Sequence, residues 1–345
     1  MPSKELHFLH STKTDHEKLI CIADTLFKKN NFSILTHKLP DGDTLGSAFA
    51  LFYALKKLKK RVKVLCSDPI PKKYSFLDLE NISNTGLKES TIEQNECVIS
   101  VDIADTKLLG ENLEIYRECV DICIDHHSLN KQYAKLTYVN SSAAATAEII
   151  YDIIKIMNIP FDKIIADCIY TGISTDTGSF KYSNTTHKTL EIAGKMLKYG
   201  ARHNLISRKM FGEKTKTKIY LEKLVLETLE FFFSDKCAVI CITKDILNKT
   251  KAKEEETEGL SGIPKSIKGV LIGITIREKE EKVFKISVRC DPCISALKLC
   301  SKFDGGGHPG AGGCVILGNL ETVKEKILVE VDEILKHTAY TEIDQ

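Results

Sequence analysis

Short apolar runs alternate with helical patterns over the first part of the chain, and this alternation limits the fold more than any other feature. The strand-like runs lie at 32–35, 62–66, 97–103 and 120–124. Apolar residues between the first two, over 45–55, are spaced as one face of a helix. Strands alternating with helices are typical of a parallel sheet that is covered on both faces. We therefore predict an α/β protein whose N-terminal domain has a parallel sheet with helices on both faces.

The pattern changes twice further along the chain. It is mainly helical from about 142 to 200, and strand-like runs return near 237–242, 269–276 and 282–289. A glycine-rich turn is predicted at 305–313, followed by a helix at 321–336. The predicted organisation is a first domain over 1–208, a connecting helix or linker over 209–231, and a smaller α/β domain over 232–345.

The overall charge excludes some classes of partner. With 49 Lys and Arg against 47 Asp and Glu, the net charge is +2. This balance argues against a protein that grips long duplex DNA or an anionic membrane, which needs a strongly basic surface. No apolar stretch is long enough to span a bilayer, and the first residues are too polar for a signal-peptide core. The 12 cysteines are therefore expected to be reduced thiols in a cytoplasmic protein.

Acidic and imidazole side chains follow three of the predicted strands, and one more acid lies in a polar loop. They are His37, Asp41 and Asp43, then Asp102, then Asp125, His126 and His127, and finally Asp176. In a parallel sheet, ligands bind at the carboxyl ends of the strands. Asp43 alone could equally be a helix cap. So many clustered carboxylates need positive charge, and except for Lys38 these motifs contain no Lys or Arg. Divalent metal is the simplest source of that charge.

Taken in order, these motifs resemble the DHH phosphoesterase superfamily. HxxxDxD stands at 37–43, an isolated acid at Asp102, DHH at 125–127 and a later acid at Asp176. The downstream GGGHPGAGG, 305–313, is similar to the glycine-rich motif of the DHHA1 C-terminal domain. Within the superfamily, the chain most resembles the nanoRNase/pAp phosphatase group. The resemblance implies a DHH catalytic domain, a DHHA1 substrate-binding domain, and hydrolysis of short oligoribonucleotides, linear dinucleotides such as pApA, and the 3′-phosphate of pAp.

The resemblance also implies two divalent metal ions, and the mixture of imidazole and carboxylate favours Mn²⁺. One ion would be held by His37, Asp41 and Asp102. The other would be held by Asp43, Asp102, His126 and Asp176, so that Asp102 bridges the pair. Two metals about 3.5–4 Å apart acidify a bridging water and clamp the attacked phosphoryl group. Asp125 would orient a neighbouring group, and His127 would face the substrate phosphate.

The glycine-rich motif and one arginine complete the predicted site. The backbone freedom of Gly305, Gly306 and Gly307 would let their N–H groups face a phosphate. His308 would add a hydrogen bond or stack on a base. Arg289 ends an alternating strand and suits a terminal phosphate. Without the resemblance, a glycine cluster of this kind is more often a tight turn.

Two other functions stay open at this point. The first is a stand-alone phosphodiesterase that prefers cyclic di-AMP or linear signalling dinucleotides, which would share the catalytic residues. The second is a nucleotide-binding sensor without catalysis. An exonuclease acting on long single strands is disfavoured, because no added domain with basic and aromatic stretches is present. Homodimer formation is left open.

Overall fold

The structure is a computed structural model that describes residues 14–77, 82–84, 92–93 and 95–341. The chain divides into two compact units, Met1–Glu213 and Lys214–Gln345. The division lies within the segment predicted to connect the domains. A helix does form there, over Lys216–Leu226, and its Leu221 and Val225 are buried in a core of the second unit. The domain limits derived from the sequence stay predictions.

The first unit is a parallel sheet with packed helices. Its helices are α1 (Asp15–Lys28), α2 (Gly42–Lys57), α3 (Thr146–Ile156), α4 (Lys163–Asp176), α5 (His187–Lys198) and α6 (His203–Ser207). Its strands are β1 (Asn31–Leu35), β2 (Arg61–Cys66), β3 (Ile82–Asn84), β4 (Cys97–Val101), β5 (Ile122–Asp125) and β6 (Leu136–Val139). The strand order is β3-β2-β1-β4-β5-β6, and all neighbours are parallel. The predicted α/β class with a parallel sheet is confirmed.

The central strands are largely apolar because both faces of the sheet are covered. Every residue of β4 and β5 is buried, as expected for a parallel sheet between two layers. One face packs against the long helices in the main core. The other face packs against Leu109, Leu113 and Tyr116 from two 3₁₀ turns after β4. Few apolar side chains of these strands are therefore exposed to solvent.

The second unit has a mixed sheet in the order β11-β12-β10-β9-β8-β7. The strands are β7 (Glu230–Phe232), β8 (Cys237–Ile242), β9 (Ile272–Glu280), β10 (Val283–Cys290), β11 (Gly306–His308) and β12 (Ala311–Leu317). The helices are α7 (Lys216–Leu226), α8 (Lys244–Thr250), α9 (Ala296–Ser301) and α10 (Leu320–Thr341). β8 and β9 are parallel, and the other pairs are antiparallel.

The glycine-rich segment differs from the predicted turn at 305–313. Gly306–His308 and Ala311–Leu317 pair as an antiparallel hairpin at the edge of the sheet. Only Pro309 and Gly310 lie between the two strands. Among the helices that the structure describes, none has the length and apolar character required to cross a bilayer.

Two glycines let α2 and α4 approach closely, and both helices carry residues of the candidate site. A Cβ added at Gly46 would lie 2.4 Å from the carbonyl oxygen of Cys168. A Cβ added at Gly172 would lie 2.6 Å from the Cβ of Ala147 and 2.8 Å from Oδ1 of Asp43. These separations are far below van der Waals contact, so larger residues would push the helices apart. The glycines thus hold the helix that begins beside Asp43 against α4.

We expect Gly46→Ala to lower the free energy of unfolding by about 1–3 kcal/mol, because the added methyl group overpacks the contact between helices. Gly194→Ala is the matched control, since Gly194 lies on α5 and no atom of the described residues lies within 4 Å of an added Cβ. This second change should stabilise the protein by about 0.5–1 kcal/mol, because alanine is the better helix former. Urea unfolding followed by circular dichroism measures both. Equal effects of the two substitutions would contradict this account of the helix contact.

Candidate metal centre

The carboxyl ends of three adjacent strands bring the predicted metal ligands together. His37 follows β1, Asp102 follows β4 and His126 follows β5, and these strands are neighbours in the order β1-β4-β5. Parallel strands end at the same edge, so their following loops share one site. The helices supply the remaining acids: Asp41 and Asp43 at the start of α2, and Asp176 at the end of α4.

The first group of side chains consists of His37, Asp41 and Asp102, whose ligand atoms all lie within 4.8 Å of one another. Nε2 of His37 lies 3.6 Å from Oδ1 of Asp41 and 3.7 Å from Oδ2 of Asp102. Nδ1 of the same ring lies 2.8 Å from the carbonyl oxygen of Lys38. Because that carbonyl can accept a hydrogen bond from the N–H at Nδ1, Nε2 is the nitrogen left to bind a metal.

The second group consists of Asp43, His126 and Asp176. Nε2 of His126 lies 3.5 Å from Oδ2 of Asp176 and 3.6 Å from Oδ1 of Asp102. Its Nδ1 lies 3.2 Å from the carbonyl oxygen of Ala143, so Nε2 again faces the carboxylates. Asp102 therefore contacts a histidine of each group, with a different oxygen in each case. This position between the groups suits a bridging ligand.

Asp43 is held rigidly because it also binds the start of another helix. Its Oδ2 accepts a hydrogen bond from the N–H of Thr146 (2.6 Å), and its Oδ1 accepts one from the N–H of Ala147 (2.9 Å). Both donors are first-turn groups of α3, which otherwise lack partners. The hydroxyl of Ser47 donates to Oδ1 as well, at 3.1 Å. The carboxylate is 1% exposed and has little freedom to move.

Asp125 and His127 form a separate pair beside the two groups. Nδ1 of His127 lies 2.8 Å from Oδ1 of the fully buried Asp125. The amide of Asn130 donates to Oδ2 of Asp125 at 2.6 Å. Because Asp125 holds Nδ1, the free nitrogen of His127 is Nε2, and the side chain is 47% exposed. His127 also contributes to a third group that could hold a metal, with Asp102 and His126.

The negative charge of the carboxylates in the candidate centre exceeds the positive charge of the protein groups around them. Burial, and next the charges of Asp102 and Asp176, raise the pKa of Asp43 well above its ordinary value. Burial and the nearby carboxylates raise the pKa of Asp176 to about 6. Burial opposes protonation of His37, but its contacts with Asp102 and Asp41 outweigh this and raise its pKa to about 11. Buried acids of this kind are stabilised by a cation between them, which fits a divalent metal.

His127 and Asp125 stabilise one another as an ion pair. The hydrogen bond to Asp125 raises the pKa of His127 from 6.5 to about 9, against the opposing effect of burial. Burial alone would raise the pKa of Asp125, but hydrogen bonds from His127 and Asn130 outweigh it and lower that pKa. A protonated imidazole with its Nε2 exposed can donate to an oxygen of a bound phosphate.

The backbone at Asp102 is in a sparsely populated conformation. Its φ is +61°, in the left-handed region, where aspartate and asparagine are more frequent than other non-glycine residues. The N–H of Asp102 donates to the carbonyl of Ile124 at 2.9 Å, and its Oδ1 accepts from the hydroxyl of Thr146 at 3.0 Å. Strain of this kind often occurs at functional residues that the surrounding structure holds in place.

Two supporting residues are absent from the sequence-based predictions. Thr146 binds both Asp43 and Asp102, and Asn130 orients Asp125. Thr146 follows a run of three alanines at the start of a predicted helix, where a threonine reads as an ordinary cap. Asn130 lies only a few residues beyond the DHH tripeptide, and this proximity is the only sequence feature that could have identified it as a supporting residue.

The predicted substrate-binding residues lie together in the second unit. Arg289 on β10 pairs with Ala311 on β12, which in turn pairs with His308 on β11. Directly paired residues point to the same face of a sheet, so Arg289 and His308 share a face about 10 Å apart. His308 is exposed, and Nη1 of Arg289 donates only to the neighbouring Val288 carbonyl at 3.1 Å among the contacts described.

The three predicted glycines differ in how closely other backbone atoms approach them in this hairpin. A Cβ at Gly305 would lie 2.4 Å from the carbonyl oxygen of Gly313, and one at Gly307 would lie 2.3 Å from that of Ala311. Gly307 also has φ +140°. A Cβ added at Gly306, in contrast, would have no neighbour within 4 Å in the part of the chain that the structure describes. The roles of these residues in binding stay predictions.

Comparisons with known proteins show the family to which the chain belongs. Residues 31–173 match the DHH family, N-terminal domain. The chain is 30% identical over 328 residues to the "Bifunctional oligoribonuclease and PAP phosphatase NrnA" of Thermus thermophilus, covering 94% of this chain and 96% of that protein. It is 27% identical to the protein of the same name from Bacillus subtilis, covering 94% and 99%.

A solved structure shares the fold along almost the whole chain. An exopolyphosphatase-related protein from Bacteroides fragilis superposes with a TM-score of 0.83 at 24% identity, covering 95% of this chain and 98% of the other. Together, the fold, the groups able to hold metal and these relatives define a metal-dependent phosphoesterase, a hydrolase of phosphate esters. The chain belongs to the DHH family.

Proposed function

We propose that this phosphoesterase hydrolyses short nucleotides, namely oligoribonucleotides of a few residues, linear dinucleotides such as pApA, and the 3′-phosphate of pAp. The observation that carries the proposal is the pair of ligand groups joined by Asp102, because phosphate-ester hydrolysis is the chemistry that such a centre performs. The choice of substrate is supported by the oligoribonuclease and PAP phosphatase activities in the names of relatives that match along 94% of the chain.

Two divalent ions would occupy the centre, and Mn²⁺ suits the mixed donors. His37, Asp41 and Asp102 would hold one ion, and Asp43, Asp102, His126 and Asp176 the other. When bound, the ions supply a nucleophilic water at neutral pH and neutralise the phosphoryl oxygens. The two inward Nε2 atoms and the uncompensated carboxylates support this assignment.

His127 would act on the substrate rather than on the metals. Asp125 holds its Nδ1 and leaves Nε2 exposed, so a protonated His127 can donate to a phosphoryl oxygen or protonate the departing ribose oxygen. The arrangement needs no movement of the ring, because Asp125 is itself fixed by Asn130. His127 and Asp125 thus form the catalytic pair of the proposal.

Arg289 and His308, with the backbone of Gly305, Gly306 and Gly307, would hold the terminal phosphate of the substrate. Arg289→Ala should raise KM for pAp and pApA about tenfold or more, because a charge-assisted contact to phosphate is lost. The Mn²⁺ content should stay unchanged. Lys249→Ala is a suitable control, since Lys249 is an exposed cation on α8. Steady-state kinetics on both substrates measures the effect, and an unchanged KM would remove Arg289 from the site.

The experiment that tests the proposed function is a substrate panel with metal titration. The purified full chain is given pAp, linear adenylates of two to five nucleotides, and cyclic di-AMP, each with increasing Mn²⁺. We expect metal-dependent turnover of pAp and the linear substrates. A higher kcat/KM for cyclic di-AMP would favour a signalling phosphodiesterase, and binding without any turnover would favour a sensor.

A further inference from the structure

Exposed apolar side chains lie on the loops that carry residues of the candidate metal centre. Among the large apolar side chains that the structure describes in the first unit, the most exposed are Leu39 (77%), Leu129 (71%) and Tyr182 (62%). Each lies on a loop that carries a residue of the centre: Leu39 between His37 and Asp41, Leu129 just after the DHH tripeptide, and Tyr182 after Asp176. Their positions on three separate loops of one site suggest a shared role, and we call them the apolar rim.

The backbone at Leu39 holds the side chain outward. Its φ is +55°, a left-handed conformation that costs a non-glycine residue about 1–2 kcal/mol. The N–H of Leu39 donates to Oδ2 of Asp68 at 3.0 Å, and the N–H of Lys38 donates to the carbonyl of Leu108 at 2.7 Å. The loop is therefore fixed at both residues, and the exposure of Leu39 is part of a defined conformation.

Leu129 lies in a similarly fixed turn. The N–H of Asn130 donates to the carbonyl of His127 at 3.2 Å, which closes the turn. The side-chain amide of Asn130 donates to the carbonyl of Ile103 at 3.1 Å, in addition to its hydrogen bond with Asp125. Leu129 is thus the sequence neighbour of Asn130, whose amide orients Asp125 and, through it, His127.

Tyr182 lies on a turn that is tied to Asp176. Gly178, Ser179 and Phe180 are consecutively left-handed, with φ of +55°, +61° and +64°. A Cβ on Gly178 would lie 2.4 Å from Cζ of Tyr182, so the ring rests directly on the backbone of that glycine. The amide of Asn184 then donates to the carbonyl oxygens of Asp176 and Ala144, at 3.1 Å each. The ring of Tyr182 is therefore held against Gly178, in a turn that Asn184 ties to the end of α4 at Asp176.

We propose that the apolar rim binds the nucleobases next to the cleaved phosphate, with Tyr182 as the stacking surface and Leu39 and Leu129 as flanking contacts. This proposal rests on the proposed function. A phosphate bound at the centre carries its nucleosides only a few ångströms away, within reach of the surrounding loops. Aromatic and aliphatic surfaces bind the face of any base without reading its edge. The rim therefore predicts tight binding of short nucleotides with little preference among sequences.

The test compares two substrates, pApA and the same dinucleotide lacking both bases, in variants of the full chain. Tyr182→Ala should raise KM for pApA about tenfold or more, because one base loses its stacking surface. The variant should leave KM for the baseless analogue and the affinity for Mn²⁺ unchanged. Tyr182→Phe keeps the ring and should behave like the wild type. Leu190→Ala is the control, since Leu190 is an exposed leucine on α5 and belongs to none of the three loops.

The outcomes separate failure of the rim from failure of the proposed function. If the wild type hydrolyses neither pApA nor pAp, the proposed function itself is wrong. If the wild type is active but Tyr182→Ala and Leu129→Ala leave KM for pApA unchanged, the rim does not bind bases. Equal increases for pApA and for the baseless analogue would also overturn the proposal, because they would assign the rim to another contact.

Discussion

Replacing Asp102 with asparagine should lower kcat for pAp and pApA roughly a thousandfold while the protein remains folded. Asp102 contacts a histidine in each ligand group, through different oxygens. An amide is neutral and a poor ligand at one of its two positions, so the variant should bind fewer than two Mn²⁺ ions. Calorimetric titration with Mn²⁺ and steady-state kinetics measure the two effects.

Asparagine is a better test than alanine for two structural reasons. It tolerates the left-handed backbone at this position, where φ is +61°. It can also still accept the hydrogen bond from the hydroxyl of Thr146. Removing one carboxylate from the metal-free cluster relieves repulsion with Asp43, which offsets the weakened ion pair with His37, so the variant should remain folded.

The control for this substitution is Asp24→Asn, a change of the same chemistry at an exposed position of α1. It should leave kcat, metal binding and stability unaltered. A folded Asp102→Asn protein that keeps most of its activity would refute the bridging role. So would a variant that loses activity but still binds two Mn²⁺ ions with wild-type affinity.

Replacing His127 with glutamine should lower kcat by about 10²–10⁴-fold, the usual contribution of a general acid. Glutamine cannot donate a proton to the departing oxygen, although it keeps a polar side chain of similar length. The number of bound Mn²⁺ ions should stay at two, because the proposal assigns His127 to the substrate. The exposed His187→Gln, at the start of α5, is the matched control.

The pairing of His127 with Asp125 adds a second measurement. Asp125→Asn should lower kcat less than His127→Gln, because the imidazole remains but loses the partner that orients it. In the double variant the two losses should not add, since both act through the same group. Fully additive losses would show that Asp125 and His127 act independently. Loss of bound Mn²⁺ in His127→Gln would assign that residue to the metals instead.

Much of the fold and the candidate centre can be predicted from sequence because both depend on local patterns. Largely apolar strands such as β4 stand out against the helices around them. The acids and histidines follow such strands directly, and parallel strands necessarily end at one edge of the sheet. His37, Asp102 and His126 meet because the parallel strands before them end at the same edge of the sheet. The order of strands and motifs along the sequence is enough to predict this.

The features that sequence reasoning missed depend on contacts between distant segments. The hairpin of β11 and β12 is rich in glycine, so its composition indicates a turn, and only pairing with β10 makes it part of a sheet. Thr146 becomes important because α3 begins beside two carboxylates. The close approach at Gly46 likewise appears only when α4 is in place. Such tertiary effects have no local signal.

The most direct test of the dinuclear centre is anomalous diffraction at the manganese absorption edge, from crystals of the full chain grown with Mn²⁺. We expect two peaks, one among His37, Asp41 and Asp102 and the other among Asp43, Asp102, His126 and Asp176. A single peak elsewhere, or none within these side chains at saturating Mn²⁺, would contradict it.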